Sequence, residues 1–94
     1  MRAESRVHRQ ITAAVLAVLT EVDPYGLEPG TSDGAPADEY EPEAVDLARL
    51  LLRDGVVTVY DVEDVWVRWF SESLVLRLGV DRTARLVDRL NALV

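Results

Sequence analysis

The stretch Val56-Val57-Thr58-Val59-Tyr60-Asp61-Val62 decides the fold class of this 94-residue chain. Its first five residues are β-branched or aromatic, a composition that favours a strand, but a strand needs a partner and the chain has no second run of this kind. Thr58 can instead cap a helix, because Asp61 follows three residues later in the spacing of a capping box. Val57 and Val62 flank this start in the spacing of a hydrophobic staple. We therefore predict a helix that begins at Thr58.

Helical periodicity continues downstream of this start. It predicts a third helix that reaches about Leu78 and ends at Gly79, followed by a fourth helix capped by Asp81. The positions predicted to face inward on the fourth helix are Ala84, Val87, Leu90, Leu93 and Val94.

The third helix carries most of the large aromatic side chains. Trp66, Trp69 and Phe70 share one face, and we expect a chain with so few aromatic residues to bury them in its core. A partner surface is the alternative, because aromatic residues are enriched at interface hot spots. Val67, Leu74 and Leu78 lie off that face and are predicted to form an exposed apolar patch suited to a homodimer or another partner.

Two further helices precede the Thr58 start. The first is predicted from about Glu4 to Val22, where Asp23-Pro24 stops it, and the second begins with Pro42 at its first position and ends before Gly55. Between them lie all four prolines and three of the five glycines. The sequence therefore predicts one all-α domain over residues 1–94, a bundle of three to four helices with a long acidic Pro/Gly-rich loop at about residues 24–41.

The composition excludes several kinds of chemistry. The chain has no Cys, no Lys and one His, so it lacks a disulfide, a thiolate nucleophile, a P-loop lysine and a multi-histidine metal site. His8 is expected on the exposed side of the first helix, away from any serine in a nucleophile-elbow sequence. We expect no catalytic activity and no cofactor.

Negative charge is concentrated in one segment. Nine acidic residues and no basic one lie between Glu21 and Asp46, whereas the rest of the chain has ten Arg against eight acids. A phosphate backbone would be repelled by the acidic segment, so we predict no nucleic-acid binding and a protein partner with a basic surface. The predicted partner-binding residues are Asp23, Tyr25, Asp38, Glu39, Tyr40 and Glu41.

The same carboxylates allow one alternative function. Asp38, Glu39 and Glu41, with Asp23 nearby in the sequence, are the only concentration of oxygen ligands suited to a hard divalent cation. Their spacing does not match an EF-hand loop. A structural or regulatory domain with a carboxylate metal site is therefore the alternative to a binding module.

The N-terminal segment raises the question of targeting. Arg2, Arg6 and Arg9 precede the apolar run from Ile11 to Leu19, which is as long as the core of a signal peptide, but no small-residue cleavage site follows before Glu21. An amphipathic helix explains the same residues, and no stretch is long enough to span a bilayer. We expect a cytoplasmic protein.

Two short motifs resemble a known family. Asp23-Pro24-Tyr25-Gly26-Leu27 and Asp38-Glu39-Tyr40-Glu41, with the helices that follow, resemble over about residues 11–90 a family of small uncharacterised bacterial proteins with the pattern Trp-Asp-Pro-x-Gly and then Asp-Glu-Tyr-Asp. Val22 stands where the family usually has Trp, and Glu41 where it usually has Asp. The resemblance implies a helical fold and a binding role of the accessory or immunity type, with no known reaction.

Overall fold

The computed structural model describes the backbone of residues 2–94 and the side chains of residues 6–94. Within residues 2–94 the chain forms five α-helices: α1 (Arg2–Val22), α2 (Glu41–Asp54), α3 (Val59–Phe70), α4 (Leu74–Leu78) and α5 (Val80–Asn91). Residues 2–94 contain no strand. The predicted all-α fold is confirmed, with one helix more than the three or four expected.

The start of α3 is built by the predicted capping box. Thr58 Oγ1 accepts a hydrogen bond from the backbone N–H of Asp61 at 3.2 Å, and the Asp61 carboxylate accepts one from the N–H of Thr58 at 2.9 Å. Val57 and Val62, on either side of this turn, are both buried. Local capping therefore outweighs the strand propensity of residues 56–60.

The predicted single helix from Thr58 to Leu78 is wrong, because the chain turns after Phe70. Ser71 adopts a left-handed conformation with φ of 57°, and Ser73 caps α4 by accepting a hydrogen bond from Leu76 N–H at 3.2 Å. Glu63 of α3 holds the new helix, since its carboxylate accepts hydrogen bonds from Ser73 Oγ at 2.7 Å and from Val75 N–H at 2.8 Å. At this break the backbone N–H groups of Val75 and Leu76 bind the side chains of Glu63 and Ser73 instead of carbonyl oxygens of a continuous helix.

This turn changes which apolar residues are exposed. Leu74 and Leu78 are buried in the core, so the predicted exposed patch that included them is wrong; only Val67 of the three is exposed. Trp66 lies in the core as predicted, whereas Trp69 is 47% exposed and does not. Trp69 lies at the edge of the buried face, where its indole N–H reaches a carboxylate of α2.

The last helix begins at Val80, and its N-cap is Gly79 rather than the predicted Asp81. Gly79 has φ of 90°, a conformation that glycine adopts without strain, and the Thr83 hydroxyl donates a hydrogen bond to its carbonyl oxygen at 2.8 Å. The residues that α5 buries share one face at i, i+3, i+4 and i+7 spacing: Thr83, Leu86, Val87 and Leu90. Ala84 and Val94 are exposed, which corrects the predicted inward face.

Within residues 6–94, a single cluster of buried apolar side chains joins the helices. α1 packs mainly against α2, and α5 packs against α1, α3 and α4. Gly55 ends α2 in a left-handed conformation as predicted, but α2 begins one residue earlier than expected, with Tyr40 at its N-cap. The largest members of the core are Trp66, Tyr40, Leu19, Leu47, Leu51, Leu74, Leu86 and Leu90.

Candidate functional site

The connection between α1 and α2 begins with Asp23, which organises the turn that follows. Asp23 has φ of 47°, and its N–H still donates to the carbonyl oxygen of Leu19 at 2.8 Å. Its carboxylate accepts hydrogen bonds from the backbone N–H groups of Leu27 and Glu28, both at 2.9 Å. The segment 23–28 is therefore folded around one carboxylate.

Tyr40, at the other end of the connection, is fully buried and closes it. Its hydroxyl donates a hydrogen bond to Asp23 Oδ1 at 2.8 Å and accepts one from the backbone N–H of Tyr25 at 3.2 Å. Residues 17 positions apart in the sequence are thus joined directly. The two short motifs that suggested a family together form one hydrogen-bond network in this structure.

The network shifts the pKa values of its members. Burial by itself raises the pKa of the Asp23 carboxyl, but the hydrogen bonds from Glu28 N–H, the Tyr40 hydroxyl and Leu27 N–H outweigh burial and hold it below its usual value. Burial, together with the Asp23 charge, raises the pKa of the Tyr40 hydroxyl far above its usual value. Tyr40 is therefore a neutral donor to an ionised Asp23 at neutral pH.

Tyr25 attaches the same turn to α3 and α4. Its hydroxyl accepts a hydrogen bond from Trp66 Nε1 at 3.1 Å, and its ring centroid lies 4.8 Å from that of Phe70. The Arg77 guanidinium lies 4.3 Å above the Tyr25 ring and donates from Nε to the carbonyl oxygen of Pro24 at 3.1 Å. A cation over an aromatic face and a hydrogen bond to the adjoining backbone hold this segment against α4.

The middle of the connection is a set of tight turns. The N–H of Gly30 donates to the carbonyl oxygen of Ala35, and the N–H of Ala35 donates to that of Leu27, each at 2.9 Å. A Cβ atom on Gly34 would overlap the carbonyl oxygen of Glu28, so only glycine fits there. Backbone hydrogen bonds thus connect the parts of this segment between the Asp23 turn and Tyr40.

Three carboxylates project from the end of this scaffold. Asp38, Glu39 and Glu41 are exposed, and with Pro42 and Val45 they line an open groove of about 380 Å³, which we call the acidic groove. No arginine within residues 6–94 lies at ion-pair distance from any of these three carboxylates. The lining of the acidic groove therefore combines two apolar residues with three carboxylates that no arginine of residues 6–94 neutralises.

The six predicted partner-binding residues therefore divide into two groups. Asp23, Tyr25 and Tyr40 use their polar atoms inside the protein, whereas Asp38, Glu39 and Glu41 lie at the surface. The burial of Tyr40 could have been predicted from the sequence. Tyr40 precedes Ala44 by four residues and Leu47 by seven, and this spacing puts Tyr40 on the apolar face of α2.

A second groove, which was not predicted from the sequence, lies between α2 and α3. It has a volume of about 290 Å³ and centres on Asp46, whose Oδ2 accepts a hydrogen bond from Trp69 Nε1 at 2.7 Å. Arg49 and Arg68 lie 3.6 Å and 3.5 Å from the Asp46 carboxylate, and both are largely exposed. Arg49, Arg53 and Arg68 in this groove face three aspartates, Asp46, Asp61 and Asp64, so its lining has no net charge.

A buried glutamate lies near the start of α2. The Glu43 side chain is almost completely buried, and its Oε2 has no hydrogen-bond partner among residues 6–94. Burial, and then the charges of Glu39 and Asp46, raise the pKa of the Glu43 carboxyl although its own backbone N–H opposes the shift. A proton on Glu43 would remove an uncompensated charge from the interior.

The described acidic side chains were the basis of the metal-site alternative. Within residues 6–94, no three or more His, Asp or Glu side chains lie close enough together to hold one. The structure therefore offers no geometric support for the metal-site alternative. No helix found in residues 2–94 combines the length and the apolar character that crossing a bilayer requires.

Comparisons of the chain with family models, with curated proteins and with solved structures give no match. The resemblance carried by the segments 23–27 and 38–41 stays a prediction.

Proposed function

We propose that this protein is a non-enzymatic binding module whose acidic groove contacts a basic surface on a protein partner, in the manner of an immunity or antitoxin-like inhibitor. One observation carries the proposal. Asp38, Glu39 and Glu41 are exposed and without an ion-pair partner in the described part of the chain, on a segment held by Asp23 and Tyr40.

The shape of the groove suits a basic side chain. Pro42 and Val45 line the groove beside the three carboxylates. An arginine or lysine has an aliphatic stem and a charged head, so its stem can pack on the apolar residues while its head meets the carboxylates. This arrangement supports recognition of a basic side chain on the partner.

The internal network supports the proposal because it positions the segment that carries the carboxylates of the acidic groove. Asp38 and Glu39 lie directly before Tyr40, whose ring is buried and whose hydroxyl is bonded at both sides. Side chains on a held segment lose less conformational entropy on binding than those on a free one. Asp23, Tyr25 and Tyr40 thus act as positioning residues rather than as contacts.

The competing explanation is that the acids only keep the protein soluble. It predicts that neutralising three carboxylates weakens the binding of a basic peptide equally wherever they lie on the surface. The binding proposal predicts a larger loss when the three carboxylates are those of the acidic groove.

A pair of matched triple variants separates the two explanations. The groove variant carries Asp38→Asn, Glu39→Gln and Glu41→Gln, and the control variant carries Asp64→Asn, Asp81→Asn and Asp88→Asn at exposed positions on α3 and α5. Both raise the net charge by the same amount. Binding of a fluorescent arginine-rich decapeptide is measured by anisotropy at low and at physiological salt.

The groove variant should bind the peptide about 5- to 30-fold more weakly at low salt, because three exposed ion pairs contribute roughly 1–2 kcal/mol in all. The loss should shrink at physiological salt, where charges are screened beyond about 8 Å. Equal losses in the two triple variants would refute the proposal and leave solubility as the explanation.

A further inference from the structure

In the part of the chain that the structure describes, no other helix covers one face of α1. Ala13, Leu16, Ala17 and Thr20 of α1, with Glu21 and Ala37, line an open and mainly apolar groove of about 540 Å³, the α1 groove. Ala13 and Ala17 are exposed, and Leu16 and Thr20 are half-buried. The groove lies opposite the core face of α1, which carries Val15, Val18 and Leu19.

The same face continues as a basic surface toward the N-terminus. Arg6, Arg9 and Gln10 are exposed and precede Ala13 by seven, four and three residues, so they share its side of the helix. Toward the C-terminus the face ends at Glu21, where the acidic segment begins. The uncovered face of α1 is therefore basic at one end, apolar in the middle and acidic at the other end.

In an antiparallel pair of α1 helices, the basic end of each helix lies opposite the acidic end of the other. If Ala13 of one helix lies opposite Ala17 of an antiparallel copy, then four residues further out Arg9 lies opposite Glu21, at both ends of the pair. Alanine at the crossing lets two helix axes approach to about 8 Å. A parallel pairing would instead place like charges opposite each other.

We propose that the α1 groove is an interface with a second copy of this chain, formed by two antiparallel α1 helices that cross at Ala13 and Ala17. Glu21 already pairs with Arg89 of its own chain and its side chain is 69% exposed, so its carboxylate can accept Arg9 of the second copy as well. This interface uses none of the residues that line the acidic groove. A failure to dimerise would refute this proposal and leave the binding of a basic partner untouched.

The expected dimer is weak and salt-dependent. α1 has 21 residues and a length of about 30 Å, and one helix pair of this length buries an area at the low end of specific interfaces. We expect a dissociation constant of about 10–100 µM in low salt, weakening as salt screens the Arg9–Glu21 pairs.

Sedimentation equilibrium over a concentration series tests the interface. Ala17→Glu should weaken dimerisation at least about tenfold, because it puts a charge at the crossing and next to Glu21 of the same face. Ala84→Glu, at an exposed alanine of α5, is the matched control and should dimerise like the unmodified protein. Arg9→Glu should also weaken the dimer, and the double variant Arg9→Glu with Glu21→Arg should restore it.

The absence of cysteine from the chain permits a direct test of the register. In the proposed dimer the Cα atoms of Ala13 and of Ala17 in the second copy are about 4–5 Å apart, within or close to disulfide range. When a mixture of Ala13→Cys and Ala17→Cys proteins is treated with a mild oxidant, the mixed disulfide should therefore form faster than either protein forms its own, since those pairs are displaced by a further 6 Å or so along the helix.

A monomer at every concentration in low salt would refute the proposal. So would a dimer that Ala17→Glu and Ala84→Glu affect equally, or mixed disulfides that form no faster than the others. Far-UV circular dichroism of each variant checks that its helices are intact.

Discussion

Removing one hydroxyl tests whether the network at Asp23 holds the α1–α2 connection. Tyr40→Phe keeps the buried ring and deletes the oxygen that donates to Asp23 Oδ1 at 2.8 Å and accepts from Tyr25 N–H at 3.2 Å. A hydrogen bond to a charged group contributes about 1.5–3 kcal/mol, and a partly buried N–H left without an acceptor costs about 1 kcal/mol or more. The variant should therefore lose about 3 kcal/mol of unfolding free energy.

The loss is large for a protein of this size. A chain of 94 residues has an unfolding free energy of roughly 5–14 kcal/mol, and 1 kcal/mol shifts the Tm by about 4–8 °C. The Tm at pH 7 should fall by about 12–24 °C, measured by circular dichroism at 222 nm. Tyr60→Phe is the matched control, because Tyr60 is 82% exposed, and its Tm should not change.

The effect should also depend on pH in a defined direction. The pKa of Asp23 is lowered in the folded state, so its stabilisation is present above the unfolded pKa of about 3.9 and is lost as pH falls through the folded pKa. Tyr40→Phe removes one cause of that lowering, so its difference from the unmodified protein should shrink in acid. The structural role of the network would be refuted if the unfolding free energies of Tyr40→Phe and Tyr60→Phe at pH 7 differed by less than about 0.5 kcal/mol.

Three further variants test other parts of the structure. Glu43→Gln should raise the Tm at pH 7 and lose this advantage in acid, because a carboxyl whose pKa is raised in the folded state destabilises the fold as pH rises above its unfolded pKa of about 4.3; an unchanged Tm at pH 7 would argue against the raised pKa of Glu43. Thr58→Ala should cost about 1 kcal/mol in urea unfolding through loss of the capping box, and a neutral result would contradict the cap. Trp66→Ala should cost about 3–5 kcal/mol and remove the blue-shifted fluorescence, while Trp69→Ala should cost less because half of its surface is exposed; equal costs would contradict the assigned burial.

Features set by neighbouring residues were predictable from the sequence. The ends of α1 and α2 and the start of α3 follow from Asp23-Pro24, Gly55 and the Thr58–Asp61 box, in which the interacting groups are at most four residues apart. Such contacts involve only residues that are close in the sequence, so pattern and spacing are enough to predict them. The concentration of acids between Glu21 and Asp46, and hence Asp38, Glu39 and Glu41 as surface candidates, is likewise visible in the sequence.

Features decided by distant partners were not predictable. α3 ends at Phe70 because Glu63 accepts hydrogen bonds from Ser73 and Val75 beyond the turn. The Tyr40 hydroxyl and Asp23 are 17 residues apart, and Trp66 donates to a Tyr25 hydroxyl 41 residues away. On an isolated segment, Asp23, Tyr25 and Tyr40 would be solvated and available to a partner. In the folded protein their polar atoms bind one another and Trp66, so they support the acidic groove from inside.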